Sequence, residues 1–154
     1  MFRRALMIAA VAVAIGGSAS AATVRYTAQL NGRSAGLDTG NKSIGTFNAR
    51  FNTKTRKLDY TLTFENLKFP AEVVHIMRED TGRSIAHLGG NRPVSPISGS
   101  IKLTEDDAKA LQSGALSVDI HTLSMLPEIQ GQIVRAGSKK VVPAPAANNG
   151  KADN

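Results

Sequence analysis

Apolar and polar residues alternate along most of the chain, a pattern typical of β-strands. In the segment KLDYTLTFEN (57–66), Leu58, Tyr60, Leu62 and Phe64 share one face, and polar residues occupy the other. Period two over this length predicts a strand with one face on a core and the other in water. Strands with similar character are predicted at 23–30, 46–52, 72–77, 83–88, 97–103, 115–122 and 128–134.

Turn residues separate these strands. The short polar linker 53–56 predicts a hairpin between the strands on either side of it. Asp80 to Gly82 predicts a second turn, from which the strand at 83–88 returns. Glycine and proline punctuate 89–96, which indicates a loop.

One short helix interrupts the strands. In TEDDAKALQSG (104–114), Thr104 is a suitable N-cap and Asp107 can reach back to it. Gly114 is placed to end the helix. We expect this helix to cross between two sheets. Seven or eight short strands with one short helix predict an all-β fold, an antiparallel β-sandwich with Greek-key-like connections.

The two ends of the chain differ from the domain between them. Residues 1–21 combine Arg3 and Arg4 with an apolar run and small residues ending at Ala21, which predicts a secretory signal peptide cleaved after Ala21. An uncleaved N-terminal anchor is the alternative. Residues 138–154 are rich in Ala, Pro, Asn and Lys and predict a disordered tail. The domain is expected at 22–137, secreted or periplasmic, with no transmembrane span in the mature chain.

Charge and cysteine content narrow the function classes. The formal net charge is +7 and falls to +5 if Arg3 and Arg4 are removed. No run of five basic residues occurs and aromatic residues make up only 5%, so no nucleic-acid partner is expected. The chain has no cysteine. Disulfides, thiolate metal sites and cysteine nucleophiles are therefore excluded.

Two histidines on predicted strands raise the question of a metal site. In VVHIMR, Val74 and Ile76 form the apolar face, so His75 and Met77 lie on the opposite face. His121 lies opposite Ile120 on a later strand. If the strands are neighbours, His75, Met77 and His121 form a soft ligand set suited to copper, especially Cu(I). His87 and Met125 are further candidates. The alternative is that each histidine only hydrogen-bonds to the backbone or covers the sheet.

A hydrolase is the other alternative for this region. Ser113, Ser117 and Ser124 lie near Asp119 and His121 in the sequence, but no G-x-S-x-G elbow surrounds any of them. We assign no catalytic residue and predict that the protein is not an enzyme.

The residues that follow His121 are expected to have structural roles. Thr122 and Glu128 are expected to organise the turn between the last two strands, with Pro127 at the exit of that turn. Gly131 predicts a bulge or a close backbone contact.

Several of these segments resemble the CHRD domain family, named after chordin and also found in bacterial exported proteins. The resemblance covers about residues 23–134 and rests on AQLNG (28–32), GTF (45–47), LDYTL (58–62) with Leu67, HIM (75–77), Gly114, VDIHT (118–122) and PEIQGQ (127–132). The family pattern has histidine where Met77 stands, glycine where Pro127 precedes Glu128, and arginine where Gln130 stands. Residues 117–120 also lack the Tyr and Asn of the family strand.

The resemblance implies an immunoglobulin-like or superoxide-dismutase-like sandwich with no established catalytic activity. We therefore expect an exported, non-catalytic binding or structural module whose partner is a protein or a cell-envelope ligand. A periplasmic copper-binding protein using His75, Met77 and His121 is the first alternative, and a hydrolase is the second. Apart from that copper, no cofactor is expected.

Overall fold

A computed structural model describes residues 22–36, 42–123 and 125–138. The expected signal peptide and all of the expected tail except Ser138 lie outside these residues, as does Ser124. The described chain contains one helix, α1 (Glu105–Ser113), and nine strands: β1 (Thr23–Asn31), β2 (Ile44–Asn52), β3 (Lys57–Glu65), β4 (Ala71–Arg78), β5 (Arg83–His87), β6 (Ile97–Lys102), β7 (Leu116–Thr122), β8 (Met125–Gln132) and β9 (Val134–Arg135).

The strands form an antiparallel β-sandwich, as the alternation predicts. Hydrogen-bonded neighbours follow the order β5-β4-β7-β8-β1-β2-β3-β6, and β9 pairs with β1. The predicted hairpins β2–β3 and β4–β5 are both present. The pairs β4–β7 and β3–β6 join strands that are distant in sequence, which gives the sandwich its Greek-key character.

The inward faces of the strands enclose one core. Every second residue of β3 is buried from Leu58 to Leu62, and Val74 and Ile76 of β4 are fully buried. Burial of large apolar side chains is the main favourable term in folding. The largest fully buried side chains are Phe47, Phe51, Leu30, Leu58, Leu62, Ile76, Leu88, Leu111, Leu116, Ile120, Ile129 and Ile133.

The strand order divides into two halves, β5-β4-β7-β8 and β1-β2-β3-β6. Helix α1 connects these halves, from β6 to β7, and its ends match the sequence prediction. Thr104 is the N-cap and accepts a hydrogen bond from the Asp107 amide, and Gly114 ends the helix with φ +77°. Asp107 is buried and pairs with Arg78 at 3.4 Å and with Arg83 at 2.6 Å. These two ion pairs connect the helix to the β4–β5 hairpin.

A buried carboxylate connects the end of β7 to the other half of the sandwich. Glu128 is fully buried and accepts hydrogen bonds from the Thr122 hydroxyl at 2.9 Å, the Lys68 amide at 2.8 Å and the Ser43 hydroxyl. The Thr122–Glu128 bond spans the turn between β7 and β8, where these two residues were expected to act. Charge-assisted bonds of this kind offset the cost of burying a carboxylate.

The expected position of Pro127 at a turn exit is wrong, because β8 begins three residues earlier than predicted. Thr122 already pairs with Met125, so the turn is short, and Pro127 lies inside β8. The ladder is irregular there, since Leu126 to Glu128 lie opposite the single residue His121. A proline, which has no amide hydrogen to donate, is tolerated where the ladder is interrupted.

The two halves of the sandwich meet where β8 approaches β1. Only Asn31 and Gln130 pair between these strands, and β9 continues the contact at Tyr26 and Thr27. A Cβ atom on Gly131 would lie 2.5 Å from the Gln29 carbonyl oxygen. The close backbone contact predicted at Gly131 is therefore confirmed. Within the described residues, no helix has the length and apolar character needed to cross a membrane.

We predict that Gly131→Ala destabilises the protein, because the new methyl group must displace the β1 backbone. The expected loss in the free energy of unfolding is about 1–3 kcal/mol, measured by urea denaturation. Lys102→Ala, at an exposed strand position, is the control and should change it by less than about 0.5 kcal/mol. Equal midpoints for Gly131→Ala and the wild type would contradict the close contact.

Candidate functional site

The outward face of the β5-β4-β7-β8 half carries the histidines. His75 and Met77 lie opposite the buried Val74 and Ile76, and His121 lies opposite the buried Ile120, as predicted. Strands β4 and β7 are neighbours, which is the arrangement that the metal hypothesis requires for His75 and His121.

Strand register brings all three histidines of the chain together. His75 pairs directly with His87 of β5, and its neighbour Val73 pairs with His121 of β7. The ring centroids of His75 and His87 are 4.5 Å apart, and those of His75 and His121 are 5.0 Å apart. We call His75, His87 and His121 the histidine cluster. His75 is its central member, and His87 is exposed on an edge strand.

The cluster favours neutral imidazoles. Burial lowers the pKa of His75, and the nearby His121 and His87 lower it further because protonated rings would repel one another. Burial also lowers the pKa of His121. A neutral imidazole has one nitrogen that accepts a hydrogen bond or binds a metal ion.

Unsatisfied polar atoms concentrate on this face. Five buried side-chain nitrogen or oxygen atoms of the described residues have no hydrogen-bond partner, and four of them belong to outward residues of this half. Two are ring nitrogens, Nδ1 of His75 and Nε2 of His121, and two are Ser84 Oγ and Gln132 Oε1. Buried polar atoms of folded proteins nearly always have partners, so this group of exceptions marks the face as a candidate site.

Asp119 lies in the same cross-strand row as His75 and His87. It pairs with His75 in the ladder and accepts a hydrogen bond from the Ser117 hydroxyl at 2.9 Å. Burial raises the pKa of Asp119 to about 6, although the bond from Ser117 opposes the shift and the Glu79 carboxylate adds to it. The Gln130 side-chain amide connects Glu79 and Ser117 by donating to both, at 2.9 and 3.3 Å.

The structure unites two of the three residues predicted for copper and adds a third histidine. His75 and His121 are adjacent, whereas Met77 lies in the next row, paired with Ser84 and Ser117. The side chain of Met125 lies outside the described part of the chain. As the described side chains stand, no three histidine, aspartate or glutamate groups are arranged to hold a metal ion.

The arrangement expected of a serine hydrolase is not formed by the described candidates. A triad places the histidine between the serine and the carboxylate, whereas the Ser117 hydroxyl donates directly to Asp119. The Ser113 hydroxyl donates to the Ala110 carbonyl in its own helix.

From the sequence, His87 was predicted only as a possible addition to the site, and Ser84 and Gln132 were not predicted. A signal for His87 was present, because the predicted turn at 80–82 makes the following strand return beside His75. That turn does not fix the register, since a bulge between Ile76 and Met77 shifts the β4–β5 ladder. The unsatisfied atoms of Ser84 and Gln132 had no signal in the sequence.

Comparison with known proteins gives a match to one family model. The model of the CHRD domain matches residues 26–133, which include all of the strands from β2 to β8 and the histidine cluster. No curated protein and no solved structure matches the chain.

We predict that Asp119→Asn stabilises the metal-free protein at high pH. The pKa of Asp119 is raised in the folded state, so folding of the wild type becomes less favourable as the pH rises through about 6. The stability of the variant relative to the wild type should increase by about 1–3 kcal/mol between pH 4 and pH 8. Urea denaturation in the presence of a chelator measures the free energy of unfolding of both proteins at each pH.

Asp59→Asn is the matched control, because Lys57 lowers the pKa of the exposed Asp59. Its relative stability should not increase between pH 4 and pH 8. If the difference in stability between Asp119→Asn and the wild type were the same at pH 4 and pH 8, the raised pKa of Asp119 would be contradicted.

Proposed function

Because this chain belongs to the CHRD domain family, we propose that it is an exported, non-catalytic binding module that works in the periplasm or outside the cell. Export is supported by residues 1–21, where Arg3 and Arg4 precede an apolar run that ends in small residues at Ala21. The partner of this module is then a protein, a cell-envelope component or a small ligand taken up there.

The outward face of the β5-β4-β7-β8 half supports binding as the activity. It carries three imidazoles, and four of its buried polar atoms, two of them imidazole nitrogens, have no partner among the described residues. A ligand that satisfied these atoms would recover the free energy lost by leaving them unpaired. This concentration on one face is the observation that carries the proposal.

A non-catalytic role is supported by the direct Ser117–Asp119 hydrogen bond. With the carboxylate bound to the hydroxyl, the serine has no imidazole base placed to remove its proton. Acyl transfer by Ser117 would need a rearrangement of this pair.

A transition-metal ion, with copper as the first candidate, is the ligand that the histidine cluster favours. Imidazole nitrogens suit copper and zinc, and ligating nitrogens must be unprotonated. The pKa values of His75 and His121 are lowered, which favours that form near neutral pH.

We predict that the purified mature chain binds one transition-metal ion. Isothermal titration calorimetry with Cu(II), Cu(I) and Zn(II) in turn is expected to give a saturable signal at one ion per chain for at least one of them. The His75→Ala variant, which removes the central ring, should lose this signal while keeping the wild-type circular-dichroism spectrum. No heat with any of the three ions would overturn metal binding.

We also predict that the protein does not hydrolyse esters or glycosides. Chromogenic esters and sugars should give no turnover above buffer. Turnover that disappears in Ser117→Ala, but persists in the control Ser113→Ala, would contradict the non-catalytic role and assign hydrolysis to the Ser117–Asp119 pair.

A further inference from the structure

We propose that His75, His87 and His121 together are the metal ligands, that Met77 is not, and that the site takes a divalent ion, Cu(II) or Zn(II). This inference rests on the proposed metal binding and names its ligand set and class of ion. It replaces the thioether expected from the sequence with a third imidazole.

The composition of the cluster is the first argument. The chain has only three histidines, separated by 12 and 34 positions in the sequence, and all of them meet on one outward face. They come from three adjacent strands, so the registers of two separate ladders, β4–β5 and β4–β7, must agree to bring them together. A need to cover the sheet with polar groups is met by any polar side chain and does not require histidine at each of these places.

The ring separations are the second argument. A nitrogen ligand lies about 2.0–2.1 Å from zinc, so the ion lies about 3.2 Å from the ring centroid. Two imidazoles that bind one ion at angles of about 90–110° therefore have centroids about 4.5–5.2 Å apart. The observed separations are 4.5 Å for His75–His87 and 5.0 Å for His75–His121. These two ring pairs, both of which include His75, already have the spacing that a shared ion requires. The rings of His87 and His121, on the strands either side of β4, must turn toward a common point.

The burial of the three rings indicates how an ion enters. His75 and His121 are half-buried, and each has a buried ring nitrogen with no partner. His87 is exposed at the edge strand β5. It therefore has the freedom to rotate toward the ion and close the site, which accounts for rings that are near one another without yet converging on a common point.

The ladder places Met77 away from this group. Its partners are Ser84 on β5 and Ser117 on β7, whereas His75 pairs with His87 and Asp119. Successive residues on one face of a strand are about 6.6–6.8 Å apart. Thioether ligands select Cu(I), whereas imidazoles suit Cu(II) and Zn(II). The Asp119 carboxylate in the same row adds negative charge near a divalent ion.

The test compares His87→Asn with Met77→Leu in the full mature protein. His87 is exposed and Met77 is a neighbour on the same face, so neither change removes a core side chain. His87→Asn should weaken Cu(II) and Zn(II) binding at least about tenfold, while Met77→Leu should leave both affinities within about threefold, measured by competition with a chelator of known affinity.

Imidazole NMR gives a second readout that does not depend on a variant. The protein has only three histidines, so addition of Zn(II) should shift all three sets of ring nitrogen resonances at one equivalent. Shifts confined to His75 and His121, with affinity lost in Met77→Leu, would overturn this ligand set and leave metal binding in place. Tighter binding of Cu(I) than of Cu(II) would overturn the class of ion. No shift at excess Zn(II) and no Cu(II) binding would overturn the proposed metal binding itself.

Discussion

The register between β4 and β7 is the constraint on which both the core and the histidine cluster depend. Val74 and Ile76 face the core opposite Ile120 and Val118, so the intervening His75 and its ladder partner Asp119 must face outward. A slip of one residue would bury an imidazole and expose aliphatic side chains. Burial of the aliphatic residues therefore also fixes the site.

The outward face of this half is unusual because two of its central polar residues are buried. Ser117 and Asp119 are almost inaccessible; β7 is flanked on both sides, and the Gln130 side chain donates to the Ser117 hydroxyl. A carboxylate whose pKa is raised to about 6 by burial makes folding less favourable at neutral pH. Local costs of this kind are typical of sites that bind or react, where a side chain is retained for its chemistry despite its effect on stability.

Alternation, turn residues and capping residues were sufficient to predict most of the strands, the two hairpins, the capped helix and the outward placement of His75 and His121. These features depend on local period and on turn chemistry, which neighbouring residues determine. The third histidine and the position of Met77 depend on ladder register across a bulge at Ile76–Met77, which no local pattern encodes. Pro127 was misplaced for a similar reason, because the interruption opposite His121 arises only when β7 and β8 pair. The signal peptide and the tail stay predictions.

The His-Thr pair at the end of β7 joins the architecture to the candidate site. Thr122 donates to the buried Glu128, which also accepts from the Lys68 amide in the loop before β4. The next residue back, His121, projects to the opposite side and approaches His75 on β4. One carboxylate therefore ties together the end of β7 and the segment that leads into β4, the two strands whose imidazoles must meet. Because an unpaired buried carboxylate is costly, the ends of β7 and β4 have little freedom to separate, which helps to keep His121 beside His75.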